Sequence, residues 1–183
     1  MPFYEIQHSL PLSPSQRTTL AQSITTLHAT SFNAPTIFVN VKFTPNTTDE
    51  GYFIGGEHRP STNRIFVHVR SGKGRGDEAF AKLAKDVEDV WDRAVGREKG
   101  DGEAGKGMEK VLHAVFIVPG ITVREQGMAI PLAGEEASWM ESNLASFKKR
   151  ADAGEENFVT LMADIEARPE LMKACAIQFV HDR

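Results

Sequence analysis

The stretch "LPLSPSQRTTLAQSITTLHATSF", set between two short strand-like runs, constrains the fold more than any other part of the 183-residue chain. Ser13 is a candidate N-cap, Pro14 stands at the first helical position, and Gln16 is the reciprocal capping partner. Leu20, Ile24 and Leu27 share one face, so the spacing predicts a helix running to about Thr30. Before it, Phe3 to His8 reads as a strand. After it, "TIFVNVKF" is β-branched and aromatic, with Val39, Val41 and Phe43 alternating against Phe38, Asn40 and Lys42. A crossover of this length lets the two strands run parallel, as a β-α-β unit.

The same element order then recurs without a residue-level repeat. "YFIGG", a polar "EHRPSTN" and "RIFVHV" together read as a β-hairpin. A second helix is predicted from near Asp77, with Phe80, Leu83, Ala84, Val87, Val90 and Trp91 at helical spacing, and the strand "VLHAVFIV" follows it. Between these two, "GREKGDGEAGKGMEK" (96–110) is Gly-rich and charged, has little to bury, and is expected to be a mobile loop. An irregular stretch "PGITVREQGMAIPLAG" leads to a helix from about Glu135 to Arg150, carrying Trp139, Met140, Leu144 and Phe147. A helical tail, residues 151–183, should break at Pro169. The expected organisation is one α+β domain over residues 1–150 and a C-terminal helical extension.

Composition narrows the class of partner. A net charge of −4 with acidic and basic residues interspersed argues against nucleic acid or an anionic membrane. No apolar run approaches the roughly 18 residues of a membrane span, and no signal-peptide core follows Met1. The one cysteine, Cys175, rules out an intrachain disulfide framework and reads as a buried structural thiol. A reducing, cytoplasmic location is the expectation. "GDGEAGK" starts like a phosphate loop, but Gly107 stands where Ser or Thr is required, and the segment leaves a helix and enters a strand. The six histidines show no metal-ligand spacing on a shared element, and no G-x-S-x-G marks a nucleophilic serine.

Polar residues at element ends carry what chemistry remains. Pro2 suits the first position of a strand on structural grounds alone. Removal of Met1 would also leave it a free secondary amine. An α-amino group titrates near pH 8, roughly, and burial lowers that value, so such a nitrogen is a plausible general base. His28, one residue past Leu27, is compatible with a buried structural role and with a place in a site. Arg70 and Arg75 flank "SGKG"; the planar arginine fork suits a substrate carboxylate, and a solvated basic turn is the bland alternative. Glu125 is either a surface carboxylate or, if buried beside the others, a base that activates water.

Taken in order and spacing, the initial "MP" with its strand, "LSPSQRTTLAQSITTLH", "FVNVKF", "FIGG", "IFVHVRSGKGR" and "REQGMAIP" resemble the tautomerase superfamily. The likeness is greatest to the cis-chloroacrylate dehalogenase branch and its fungal relatives, and it covers roughly residues 2 to 145. The resemblance implies a tautomerase-like fold, two β-α-β units forming a small mixed sheet with helices on one face, assembled as a homotrimer with sites near subunit interfaces. It also implies that Pro2 is the catalytic proline, that His28 and Arg75 bind a substrate carboxylate, with Arg70 as a further candidate, and that Glu125 activates water. Two departures stand out. The branch spaces its arginines as R-x-x-R, so an ungapped comparison puts Gly72 where the first is expected, and Ile117 replaces an expected tyrosine.

The implied activity is keto-enol tautomerisation of small 2-oxo acids or their enols, a scheme that calls for no cofactor or metal. The alternatives are a cofactor-free hydratase or dehalogenase of unsaturated carboxylic acids, or a non-catalytic trimeric scaffold if Met1 stays and the Pro2 nitrogen is an amide. The tail would pack over a neighbouring subunit or a site mouth.

Overall fold

A computed structural model describes residues 2–46, 51–70, 72, 75–98, 100–103 and 106–173. Cys175 and His181 lie outside the described residues. The chain folds as β1 (Phe3–His8), α1 (Pro14–Ser31), β2 (Asn40–Pro45), β3 (Phe53–Ile54), β4 (Glu57–His58), β5 (Asn63–Val69), α2 (Asp77–Val95), β6 (Leu112–Pro119), β7 (Arg124–Glu125), β8 (Met128–Ala129), α3 (Glu136–Asp152) and α4 (Glu156–Ala167).

The main sheet has the order β2-β1-β5-β6. β1 runs parallel to β2 and β5 parallel to β6, while β1 and β5 are antiparallel. Two β-α-β units thus meet along β1 and β5 in a mixed α+β sheet. Alternation along β1 buries Tyr4, Ile6 and His8. Beneath the two long helices, Tyr4 and Ile6 join Ile65 and Val67 of β5, Leu20 and Ile24 of α1, and Leu83, Val87 and Trp91 of α2 in one core. The Ser13–Gln16 capping box forms as the sequence predicts. α2 ends on Gly96, whose positive φ of 64° suits glycine at a helix terminus.

Among the described residues, no helix packs over the opposite face of the sheet. Phe66 of β5 and Phe116 of β6 stack there with ring centroids 4.9 Å apart, and Phe3 and Phe116 are exposed.

Two expectations need correction. The strand predicted over "TIFVNVKF" begins only at Asn40, because Thr36–Phe38 forms a 3-10 turn. That turn directs Phe38 onto Trp139 of α3, at a centroid distance of 5.6 Å. The hairpin predicted to include "RIFVHV" instead closes within "FIGGEH", as β3 and β4 around Gly55 and Gly56. β5 is then free to pair with β1 and β6, where its apolar side chains are buried on a longer ladder. Within 96–110, the described residues turn around Asp101. Its carboxylate accepts the Glu98 N–H at 2.9 Å and lies 3.6 Å from Lys110 Nζ.

A second core straddles residue 150. Met140 and Phe147 of α3 pack with Phe158 and Leu161 of α4 and with Leu171 of the 3-10 turn that starts at Pro169. This unit is tied to the end of α1 on the same chain. Asp164 accepts from the Thr36 backbone and hydroxyl at 2.8 and 2.9 Å, and Arg168 donates to the Ala29 and Ala34 carbonyls at 3.2 and 3.1 Å. Among the described residues, no helix is long and apolar enough to cross a membrane.

Candidate active site

Four of the five candidate site residues, Pro2, His28, Arg70 and Arg75, meet near the amino-terminal end of β1, and the fifth, Glu125, is linked to them through Asn40. Pro2 is buried, and its carbonyl accepts the Asn40 N–H at 3.1 Å, which registers β1 against β2. Pro2, His28, Arg70 and Arg75 line one small cavity together with Phe32 and Phe80. Four elements supply them: the start of β1, the last turn of α1, the end of β5 and the approach to α2. The cavity measures about 10 Å³, room for roughly one water molecule. Larger depressions, of about 460 and 570 Å³, lie on the outer surface of α1 and α2 and beside the Asp101 loop. Their linings lack a comparable convergence of a strand-start proline, a histidine and two arginines, so chemistry rather than size marks the candidate site.

His28 is buried at 2% exposure, and its Nδ1 lies 2.7 Å from the Tyr4 hydroxyl. Burial, and secondarily the charge of Arg75, lowers its pKa to about 3, so the ring is neutral near pH 7. Burial also raises the Tyr4 phenol above its usual value, which keeps it a hydroxyl. Tyr4 can donate to Nδ1, and the imidazole proton then sits on Nε2. His28 is therefore a neutral polar group beside the cavity, not a cation.

Arg70 is 6% exposed, and its Nε has no hydrogen-bond partner. Burial weakens its hold on its proton; Glu136 opposes that shift and Arg75 adds to it. Arg75 donates to Glu136 Oε1 at 2.8 Å and to the Phe32 carbonyl at 3.3 Å, and its guanidinium lies 5.1 Å from the centre of the Phe32 ring. Glu136, at the first position of α3, also lies 3.6 Å from Arg70.

Glu125 sits on β7 and reaches the site through Asn40, whose amide donates to Glu125 Oε1 at 3.4 Å. Its other carboxylate oxygen is buried without a partner. Burial raises the Glu125 pKa, and the Asn40 hydrogen bond acts in the opposite direction. One oxygen is thus held while the second is open to a proton donor such as water.

The two departures have structural reasons. A Cβ at Gly72 would fall 2.5 Å from the Ala133 carbonyl oxygen, so the segment before α3 excludes any side chain where an arginine was expected. Ile117 pairs with Val67 across the ladder and packs against the helix-facing core, and it does not line the cavity. Tyr4, Asn40 and Glu136 were not singled out in the sequence. Asparagine within a strand was the available signal for Asn40, whereas Glu136 looks like any acidic residue in a helix's first turn.

A mixed four-stranded sheet of two β-α-β units, with a proline at the head of its first strand beside two arginines, defines a tautomerase-type protein. Residues 1–144 match the family described as "Putative oxalocrotonate tautomerase enzyme", and the chain belongs to that family, within the tautomerase superfamily. Among solved structures, a member of the cis-3-chloroacrylic acid dehalogenase family is similar in fold, with a TM-score of 0.58 and 21% identity over 82% of this chain and 99% of the other. A "probable enzyme" from the thermophilic fungus Aspergillus fumigatus is similar at 26% identity and a TM-score of 0.54, over 78% of this chain and 94% of the other. No curated protein matches the sequence.

Proposed function

We propose that the protein is a cofactor-free keto-enol tautomerase acting on small 2-oxo acids or their enols, with Pro2 as general base after removal of Met1. The observation that carries this reading is the convergence of buried Pro2 with Arg70, Arg75 and neutral His28 on one cavity. Two guanidinium groups near the proline nitrogen favour its uncharged form, because like charges disfavour protonation. The neutral amine takes a proton from the carbon beside the keto group and leaves an enolate. Arg70 and Arg75 hold the substrate carboxylate, His28 Nε2–H faces the oxygen that gains charge, and the prolinium returns its proton to oxygen or carbon. Pre-organised donors of this kind stabilise charge only as it develops, and a poised base adds typically about 10²–10⁴-fold.

A second reading has its own support in Glu125. Its elevated pKa and unpartnered, buried oxygen suit a base that activates water. Protonated Pro2 would then act as the acid that completes addition to an activated double bond, as in a hydratase or dehalogenase.

The uncovered sheet face with Phe3, Phe66 and Phe116 fits a homotrimer in which three sheets face one another. The family match points to an enzyme, but a retained Met1 would turn the Pro2 nitrogen into an amide and leave a scaffold. The first experiment is the intact mass of protein from its native cell, followed by enol-to-keto conversion assayed on Pro2→Ala. Loss of Met1, with activity that falls at least a hundredfold in the variant, is the expected result. Unchanged activity in Pro2→Ala would remove the proline mechanism. Glu125→Gln should abolish water addition and spare tautomerisation, and light scattering should return three times the monomer mass.

A further inference from the structure

Arg70 and Arg75, to which the proposed function gives the substrate carboxylate, already face a carboxylate of the chain itself. Glu136 Oε1 stands 2.8 Å from Arg75 Nη2 and 3.6 Å from Arg70 Nη2, and its Oε2 accepts the Gly134 N–H at 2.6 Å. Both Arg70 and Glu136 are buried, at 6% and 7% exposure. In this state the cavity beside Pro2, at about 10 Å³, is too small for a three-carbon acid.

Room lies immediately next door. A cleft of about 200 Å³ shares Phe32 and Arg75 with that cavity, and it is lined further by Glu136, Gly134 and Leu171. The Arg75–Glu136 pair and the Phe32 ring therefore stand between the small cavity and the open cleft. The buried Arg70 Nε has no acceptor. A planar guanidinium can offer two parallel donors to a carboxylate, and Glu136 leaves that edge of Arg70 unused.

We propose that Glu136 is an internal competitor for the arginine pair, a tethered carboxylate that a substrate carboxylate must displace to reach Pro2. This rests on the proposed role of the arginines in binding substrate. Entry is then an exchange of one carboxylate for another. Glu136 swings toward the cleft, the incoming acid takes Arg75 and the idle edge of Arg70, and the displaced side chain leaves the volume that the substrate fills. The site stays closed without an acid able to make both contacts, so Glu136 sets a specificity threshold. Apparent affinity falls by the fraction of molecules in which the arginines are free.

The test is the binding of pyruvate to the full chain by isothermal titration calorimetry, in the parent, Glu136→Gln, and Glu136→Gln combined with Arg75→Ala. The expected result is binding about tenfold tighter, or more, in Glu136→Gln, with the gain lost when Arg75 is also removed. Glu136→Asp, which keeps the charge and pulls it back by one methylene, should fall between; it carries the test if the glutamine variant does not fold. In Glu136→Ala, millimolar acetate should raise the melting temperature by several degrees by refilling the vacated place, and the parent should not respond. Equal affinity in the parent and both Glu136 variants overturns the competitor and leaves the tautomerase reading standing. Because calorimetry reads binding without turnover, a parent without tautomerase activity but with the expected affinity order overturns only the reaction. Pyruvate binding that is independent of Arg75 overturns both.

Discussion

The Tyr4 hydroxyl lies 2.7 Å from His28 Nδ1, joining the first buried position of β1 to the last turn of α1. The two rings also meet edge to face, with centroids 5.8 Å apart. The bond sets which imidazole nitrogen faces the cavity. Tyr4→Phe keeps the ring and deletes the donor, so a buried ring nitrogen loses its partner at a cost of about 1–3 kcal/mol. A urea titration should record that loss with an unchanged m-value. ¹⁵N chemical shifts of His28 should show the ring nitrogens of the variant redistributed between tautomers.

The pH dependence of stability follows from the same histidine. Its pKa is about 3 in the folded chain against 6.5 for the free side chain, so the unfolded state binds the extra proton between those values. The contribution of His28 is full above pH 6.5 and declines as pH falls toward 3, by about 1.4 kcal/mol per pH unit within the window. Denaturation from pH 7 to pH 5 should show a weaker decline in His28→Gln than in the parent. The His28 ring protons should not titrate between pH 5 and 8.

Asn40 holds Pro2 with its backbone and Glu125 with its side chain. Its hydrogen bond lowers the Glu125 pKa, so Asn40→Ala should raise that pKa further. Direct titration of ¹³C-labelled Glu125 carboxyl checks the direction. Under the hydratase reading, the rising limb of the pH profile for water addition should move to higher pH, and the corresponding limb for tautomerisation should stay in place.

Gly72 is held against the Ala133 carbonyl, and a Cβ there has no room. Gly72→Ala should cost about 1–3 kcal/mol, as overpacking against backbone does. Since the displaced segment leads directly into Glu136, the variant should also loosen the hold of Glu136 on Arg75. Thermal melts should register the first effect. A change in the Arg75 Nε–H chemical shift should register the second.

The legible parts of the fold were those written in local spacing. The capping box of α1, the apolar face of α2 and the alternation of β1 each depend on residues within one or two turns of one another, and all three formed as read. "TIFVNVKF" misled because its β propensity was outweighed by a tertiary contact: Phe38 is buried against Trp139 only through the 3-10 turn. The second hairpin was misread for a related reason. A strand buried on both edges gains more by pairing with β1 and β6 than with its sequence neighbour.

The sequence by itself determined the order strand, helix, strand, twice over, and it placed Pro2, His28, Arg70, Arg75 and Glu125 at the ends of those elements, where loops and termini can converge. Tertiary structure alone decided that Pro2, His28, Arg70 and Arg75 line one cavity, because the sheet order β2-β1-β5-β6 brings the end of β5 beside the start of β1. It alone also decided that Arg75 meets Glu136, 61 residues further on. An ion pair over that separation leaves no periodicity in the chain. Its partners are chosen by which surfaces the core brings together, and a glutamate at a helix start carries no mark of the arginine it will face.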